Sequence, residues 1–97
     1  MNLIDRIVQF RAEIQAIRRD IHAHPELAYD EHRTGGKVAG LLAGWGIEVH
    51  RGLGGTGVVG VLRNGAGRRA IGLRADMDAL PIAEANAFDH ASKHAGR

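Results

Sequence analysis

The chain contains no cysteine, so disulfides and cysteine-based zinc sites are excluded within it. Aromatic residues are nearly as scarce: Phe10, Tyr29, Trp45 and Phe88 are the full set. They are not interleaved with a basic stripe. Lysine and arginine are scattered among acids, as in Asp5-Arg6 and from Asp30 to Arg33, and the net charge is only +2 with histidine neutral. Nucleic acid is therefore not the expected partner. No apolar run approaches the ~18 residues of a membrane span. The opening "MNLIDRIVQF" sets Asp5 and Arg6 among its apolar residues and lacks a signal-peptide core. No membrane association and a cytoplasmic location are the expectation. Internal repeats and linker-like stretches are missing too.

What is present fits one small globular domain at most. The 97 residues are 44% apolar and 25% charged, which argues against disorder. A chain of this size buries only about 65% of its unfolded surface, so its stability is marginal without a partner. The 14 glycines are about double the usual share, and the backbone must turn often.

Ile7, Phe10, Ile14, Ile17 and Ile21 recur at steps of three and four, which predicts a helix from about Leu3 to Ala23. Asn2 is the expected N-cap, and Pro25 disfavours helix at His24. A second helix is predicted from Asp30 or Glu31, with Val38, Leu41, Leu42 and Trp45 as its buried face and Gly46 as a left-handed C-cap. Gly35, Gly36, Gly40 and Gly44 each lower its propensity by ~1 kcal/mol relative to alanine, which suggests a helix held by close packing. The period then changes to two. Ile47 to Arg51, Gly57 to Arg63 and Arg69 to Ala75 read as three strands. The turn "NGAG" at 64–67 predicts a hairpin between the second and third. The tail from Ile82 to Arg97 is weakly patterned.

Several motifs invite chemistry. Gly52, Gly54 and Gly57 have G-x-G-x-x-G spacing, but that fingerprint works between a strand and a helix. Here Val58, Val59, Val61 and Leu62 follow, and they are strand formers. The simpler reading is a loop between strands that needs glycine. Gly36-Lys37 lacks the other residues of a phosphate-binding loop. His22 and His24 diverge on a helix and are expected to bond the chain's own carbonyls. His90 and His94 could bind zinc on a helix, though a solvated pair is the simpler expectation. Asp76 and Asp78, at the end of the third predicted strand, share one side of an extended backbone. They could be solvated loop carboxylates. They could also line a polar site at the carboxyl edge of a sheet, where α/β folds place ligands.

"RRDIHAHPELAYDEHRT", "LLAGWGIEV", "GGTGVVGVLR" and "AIGLRADMDALPI", in this order, resemble the start of bacterial metal-dependent amidohydrolases. These are the hippurate hydrolase and N-acyl-amino-acid amidohydrolase group of the aminoacylase/carboxypeptidase zinc-peptidase family. The resemblance implies an α/β fold, the N-terminal part of a zinc-peptidase-like α/β/α catalytic domain, with two helices followed by three strands over 1–97. It implies hydrolysis of the amide bond of N-acyl amino acids. Two divalent ions (zinc, manganese, cobalt or nickel) would assist in the complete enzyme, and a dimerisation domain would make it a homo-oligomer. Carried onto this sequence, the family's strand-end aspartate falls on Asp78, which orients a metal ligand or the metal pair. Asp76 falls where more distant members have a metal-binding histidine. The group's ligands come mainly from a Cys-Gly-His-Asp-Gly-His segment, absent here, so no metal ligand is expected in this chain. Catalytic roles are expected for Asp78 and Asp76, and no activity from the chain alone. A small non-catalytic interaction module, docking through the first helix, or a gene remnant is the alternative.

Overall fold

The computed structural model describes residues 3–97. Its elements are α1 (Leu3–Gln9), α2 (Arg11–Ala23), α3 (His32–Gly44), β1 (Glu48–Leu53) and β2 (Gly57–Val61). The chain forms two compact units. One comprises the chain up to Pro25 with Pro81–Arg97, and the other is Glu26–Leu80.

In the first unit the single predicted helix is two. Phe10 has φ −92° and ψ 0°, and its N–H donates to Ile7 O at 3.1 Å rather than four residues back. One tight turn therefore separates α1 from α2. The expected N-cap, Asn2, lies outside the described residues. The far end is as predicted: α2 stops at Ala23, and His24 before Pro25 has non-helical angles. Along the apolar stripe, Ile17 and Ile21 are half-buried while Ile7, Phe10 and Ile14 are exposed. Residues 82–97 contain no helix or strand. Lys93 N–H donates to Ala23 O at 2.9 Å, satisfying a carbonyl at the end of α2.

In the second unit α3 packs on the β1–β2 hairpin. Its buried positions are Thr34, Gly35 and Ala39. The predicted face is offset, because Trp45 is exposed while Val38, Leu41 and Leu42 are half-buried. Small residues make the contact. A Cβ added to Gly35 would stand 3.1 Å from Thr56 O, whereas Gly40 and Gly44 have nothing within 4 Å. The close-packing expectation thus holds at Gly35. Gly46 adopts φ +79°, as a left-handed cap requires.

The expected two helices and three strands are corrected to three helices and two strands among the described residues. β1 and β2 are antiparallel, with Glu48 opposite Val61, His50 opposite Val59, and a register shift between Arg51 and Leu53. The hairpin therefore joins the first and second predicted strands. Gly54 (φ +64°) and Gly55 (φ +98°) supply the left-handed backbone of its turn. Arg69 to Ala75 forms no strand. Ile71 and Leu73 are 92% and 95% exposed, because a strand needs a partner and this segment has none beside it. Only an isolated parallel bridge, Leu27 to Ala79, follows it. Among the described residues, no helix is long and apolar enough to cross a membrane.

Candidate functional site

The site is built on the loop between α2 and α3, "ELAYDE". Glu26 works as a remote cap for α3. Its Oε1 accepts the Thr34 N–H at 2.6 Å and its Oε2 the Arg33 N–H at 3.0 Å, so two unpaired donors of the first turn are satisfied. Burial pushes the Glu26 carboxyl up. The Thr34 and Arg33 amides, the Thr34 hydroxyl and His32 together outweigh that, and its pKa is lowered. Thr34 Oγ1 itself has no hydrogen-bond partner, so what it lends Glu26 is a nearby dipole and not a formed bond. The same loop holds the acid-bearing segment. Ala79 N–H donates to Glu26 O at 2.7 Å, beside the Leu27–Ala79 bridge.

Glu31 is the buried acid of this loop, only 7% exposed. Its Oε1 accepts the Tyr29 N–H at 2.6 Å, and its Oε2 accepts the Thr56 hydroxyl. The loop is thereby tied to the turn of the hairpin. Tyr29 is held with φ +67°, the one described non-glycine residue at positive φ.

Asp76 and Asp78, both exposed, line one open cleft of about 350 Å³ together with Tyr29, Glu31, Thr56 and Arg74. The structure therefore brings the two predicted site residues to one cleft, although no strand delivers them. The Arg74 guanidinium lies 2.8 Å from the Asp76 carboxylate. Three acids and one cation can orient donors of a bound molecule or attract a cation. As a metal centre the donor set falls short. Asp76 is taken by Arg74, Glu31 is spent on two hydrogen bonds, and the described residues contain no group of three or more His, Cys, Asp or Glu able to hold a metal. The chain's own residues do not fit a two-metal centre by themselves.

Sequence reasoning missed Glu31, Thr56 and Tyr29. Glu31 was legible as a helix start, but its partner lies 25 residues on.

His22, His24, His90 and His94 belong to the first unit and behave differently from expectation. His22 Nε2 lies 2.7 Å from Glu84 Oε1, not on a carbonyl. The Ser92 amide first, then His22, with Asn86 adding to them, hold the Glu84 carboxyl down to about 2. No helix carries His90 and His94. His90 stacks on Phe88 with ring centroids 3.9 Å apart, and His94 stands edge-on to His24 at 5.7 Å. Burial, then Arg19 and Arg18, lower the His90 pKa. The Gly52, Gly54, Gly57 motif sits in a hairpin with no helix after it, which removes the geometry a dinucleotide needs.

Over 93 residues the chain is 48% identical to hippurate hydrolase of Campylobacter jejuni, an alignment covering 96% of this chain and 24% of that protein. It is 42% identical over 101 residues to thermostable carboxypeptidase 2 of Saccharolobus solfataricus, covering 99% and 26%. It is 41% identical over 95 residues to N-acyl-L-amino acid amidohydrolase of Geobacillus stearothermophilus, covering 96% and 25%. The chain thus spans about a quarter of the length of these curated relatives. No protein-family model matches the chain, and no solved structure matches it.

Proposed function

We propose, from the chain's membership of the family of hippurate hydrolase and N-acyl-L-amino acid amidohydrolase, that it forms the N-terminal portion of a metallopeptidase-like α/β catalytic domain. In this reading it supplies one wall of a site that hydrolyses the amide bond of N-acyl amino acids. The observation that carries the reading is the shared cleft of Asp76, Asp78, Glu31 and Tyr29. Asp78 orients the catalytic groups opposite it, and Asp76, fixed by Arg74, shapes the field at the rim. The divalent ion of such an enzyme needs ligands this chain does not bring together, so the chain alone is inactive. The exposure of Ile71 and Leu73 fits a segment that other parts of such a domain cover.

A chimera tests this. The matching quarter of the Campylobacter jejuni hippurate hydrolase is replaced by this chain, and hydrolysis of N-benzoylglycine is followed with added zinc, manganese, cobalt or nickel. Turnover is expected from the chimera and none from the chain alone. Asp78→Asn in the chimera should lower activity by about 10- to 100-fold, as loss of a residue supporting metal ligands does. A folded chimera with no turnover, beside an active parent, sinks the reading. The exposed face of α1 and α2, with Ile4, Ile7, Val8 and Ile14, favours a second reading, a small non-catalytic interaction module. A dead chimera together with stable capture of a partner through that face would support it.

A further inference from the structure

Tyr29 is an expensive residue for the position it holds. A bulky L side chain at φ +67° crowds the backbone, and glycine or asparagine would sit there with less strain. Burial does not offset the strain, because Tyr29 is 78% exposed. It is imposed from outside by the buried carboxylate of Glu31, which grips the Tyr29 N–H and is itself gripped by the Thr56 hydroxyl. An observed backbone outlier at the lip of a cleft is grounds for assigning function to the side chain it presents.

We propose, resting on the reading of the cleft given above, that Tyr29 is a ligand-contacting residue and receives the acyl group of an N-acyl amino acid, aromatic acyl groups ahead of small aliphatic ones. Charge decides which end of the ligand it meets. The lining carries Asp76, Asp78 and Glu31, and its single cation, Arg74, is already engaged by Asp76. The ligand's carboxylate is repelled from such a surface. Its uncharged acyl end is not, and Leu53, Val58 and Met77 add apolar atoms to the lining. An aromatic acyl group also gains a ring–ring contact that an acetyl group cannot make. Glu31 acts through Tyr29 and is a positioning residue.

The full chain, labelled with nitrogen-15, is titrated with N-benzoylglycine and with N-acetylglycine while the amides of Tyr29, Thr56, Asp76 and Asp78 are followed. Both ligands are expected to shift these amides, with the benzoyl compound binding about 2- to 10-fold more tightly, the range of one aromatic pair. Tyr29→Phe should keep that ratio. Tyr29→Gly and Tyr29→Asn should bring it to about one while the melting temperature holds or rises, since both relieve the backbone. An unchanged ratio in these two variants overturns the inference and leaves the proposed function standing. A lowered melting temperature in both assigns Tyr29 to packing and also overturns it. If neither ligand shifts any cleft amide, the functional reading of the cleft fails, and the inference with it.

Discussion

Replacing Glu31 by alanine removes two hydrogen bonds at once. A hydrogen bond to a carboxylate contributes about 1.5–3 kcal/mol. Tyr29 is exposed and its freed N–H can turn to water, so its share falls at or below the low end. Thr56 is half-buried and its hydroxyl loses a buried acceptor. Against these losses, release of Tyr29 from its left-handed backbone returns about 1 kcal/mol. The expected net loss for Glu31→Ala is therefore about 1–3 kcal/mol. A chain of this size has a total stability of about 5–15 kcal/mol at best, so the change is large. Thr56→Val alone should cost about 1–3 kcal/mol, because it leaves a buried carboxylate oxygen unpaired. The double variant should lose less than the two singles added, by about 1 kcal/mol or more, since both break the same bond. Urea unfolding followed by far-ultraviolet circular dichroism measures all three. A loss below about 0.5 kcal/mol for Glu31→Ala, or full additivity with Thr56→Val, refutes the bridge between loop and hairpin.

A Cβ on Gly57 would lie 2.3 Å from Leu53 O, a backbone atom that cannot step aside. Gly57→Ala should cost about 1–3 kcal/mol or more and open the hairpin, whereas Gly40→Ala, with open space around it, should gain up to about 1 kcal/mol; equal effects would refute the packing argument. The depressed Glu84 carboxyl stabilises the first unit above its ordinary value of 4.5, and that contribution is lost as the pH falls from there towards about 2. Protection of the Ser92 amide from hydrogen exchange, after allowance for the intrinsic pH dependence, should fade across that window, and Glu84→Gln should abolish the dependence. Full protection at pH 2 would show that Glu84 does not hold the tail.

Features that depend on one residue and its immediate neighbours were legible in the sequence. Pro25 ends α2, Gly46 caps α3, and the glycines after Arg51 form a loop between two strands. Features that depend on choosing a partner were not. Residues 57–61 and 69–75 alternate in much the same way, but only the first finds a neighbour. The turn at Gly54-Gly55 brings β1 back against β2, and the Asn64-Gly65 turn brings back no strand. The break at Phe10 was hidden because its apolar spacing continues unbroken through it. The candidate site shows the same division. Spacing singled out Asp76 and Asp78 but left solvated loop carboxylates open, the family resemblance supplied their expected role, and both line the cleft. Glu31 looks in sequence like the first residue of a helix, and its reach to Thr56 is set by tertiary packing. His22 finds Glu84 across 62 residues, a separation no local pattern encodes.

The cleft divides its two tasks between different groups. Position comes from within this chain: Glu26 holds Ala79, Glu31 holds Tyr29 and Thr56, and the acids are carried between these anchors. Dryness does not. Asp76, Asp78 and Arg74 are all exposed, and an exposed ion pair contributes little because water screens it. In the proposed function the same carboxylates gain strength only where water is excluded around them, since electrostatic interactions grow as the effective dielectric falls. A surface that covers the cleft would therefore change the chemistry of Asp78 without moving it. Under that proposal, mutations in the positioning loop should act mainly on ligand placement, and mutations in a surface that covers the cleft should act mainly on rate.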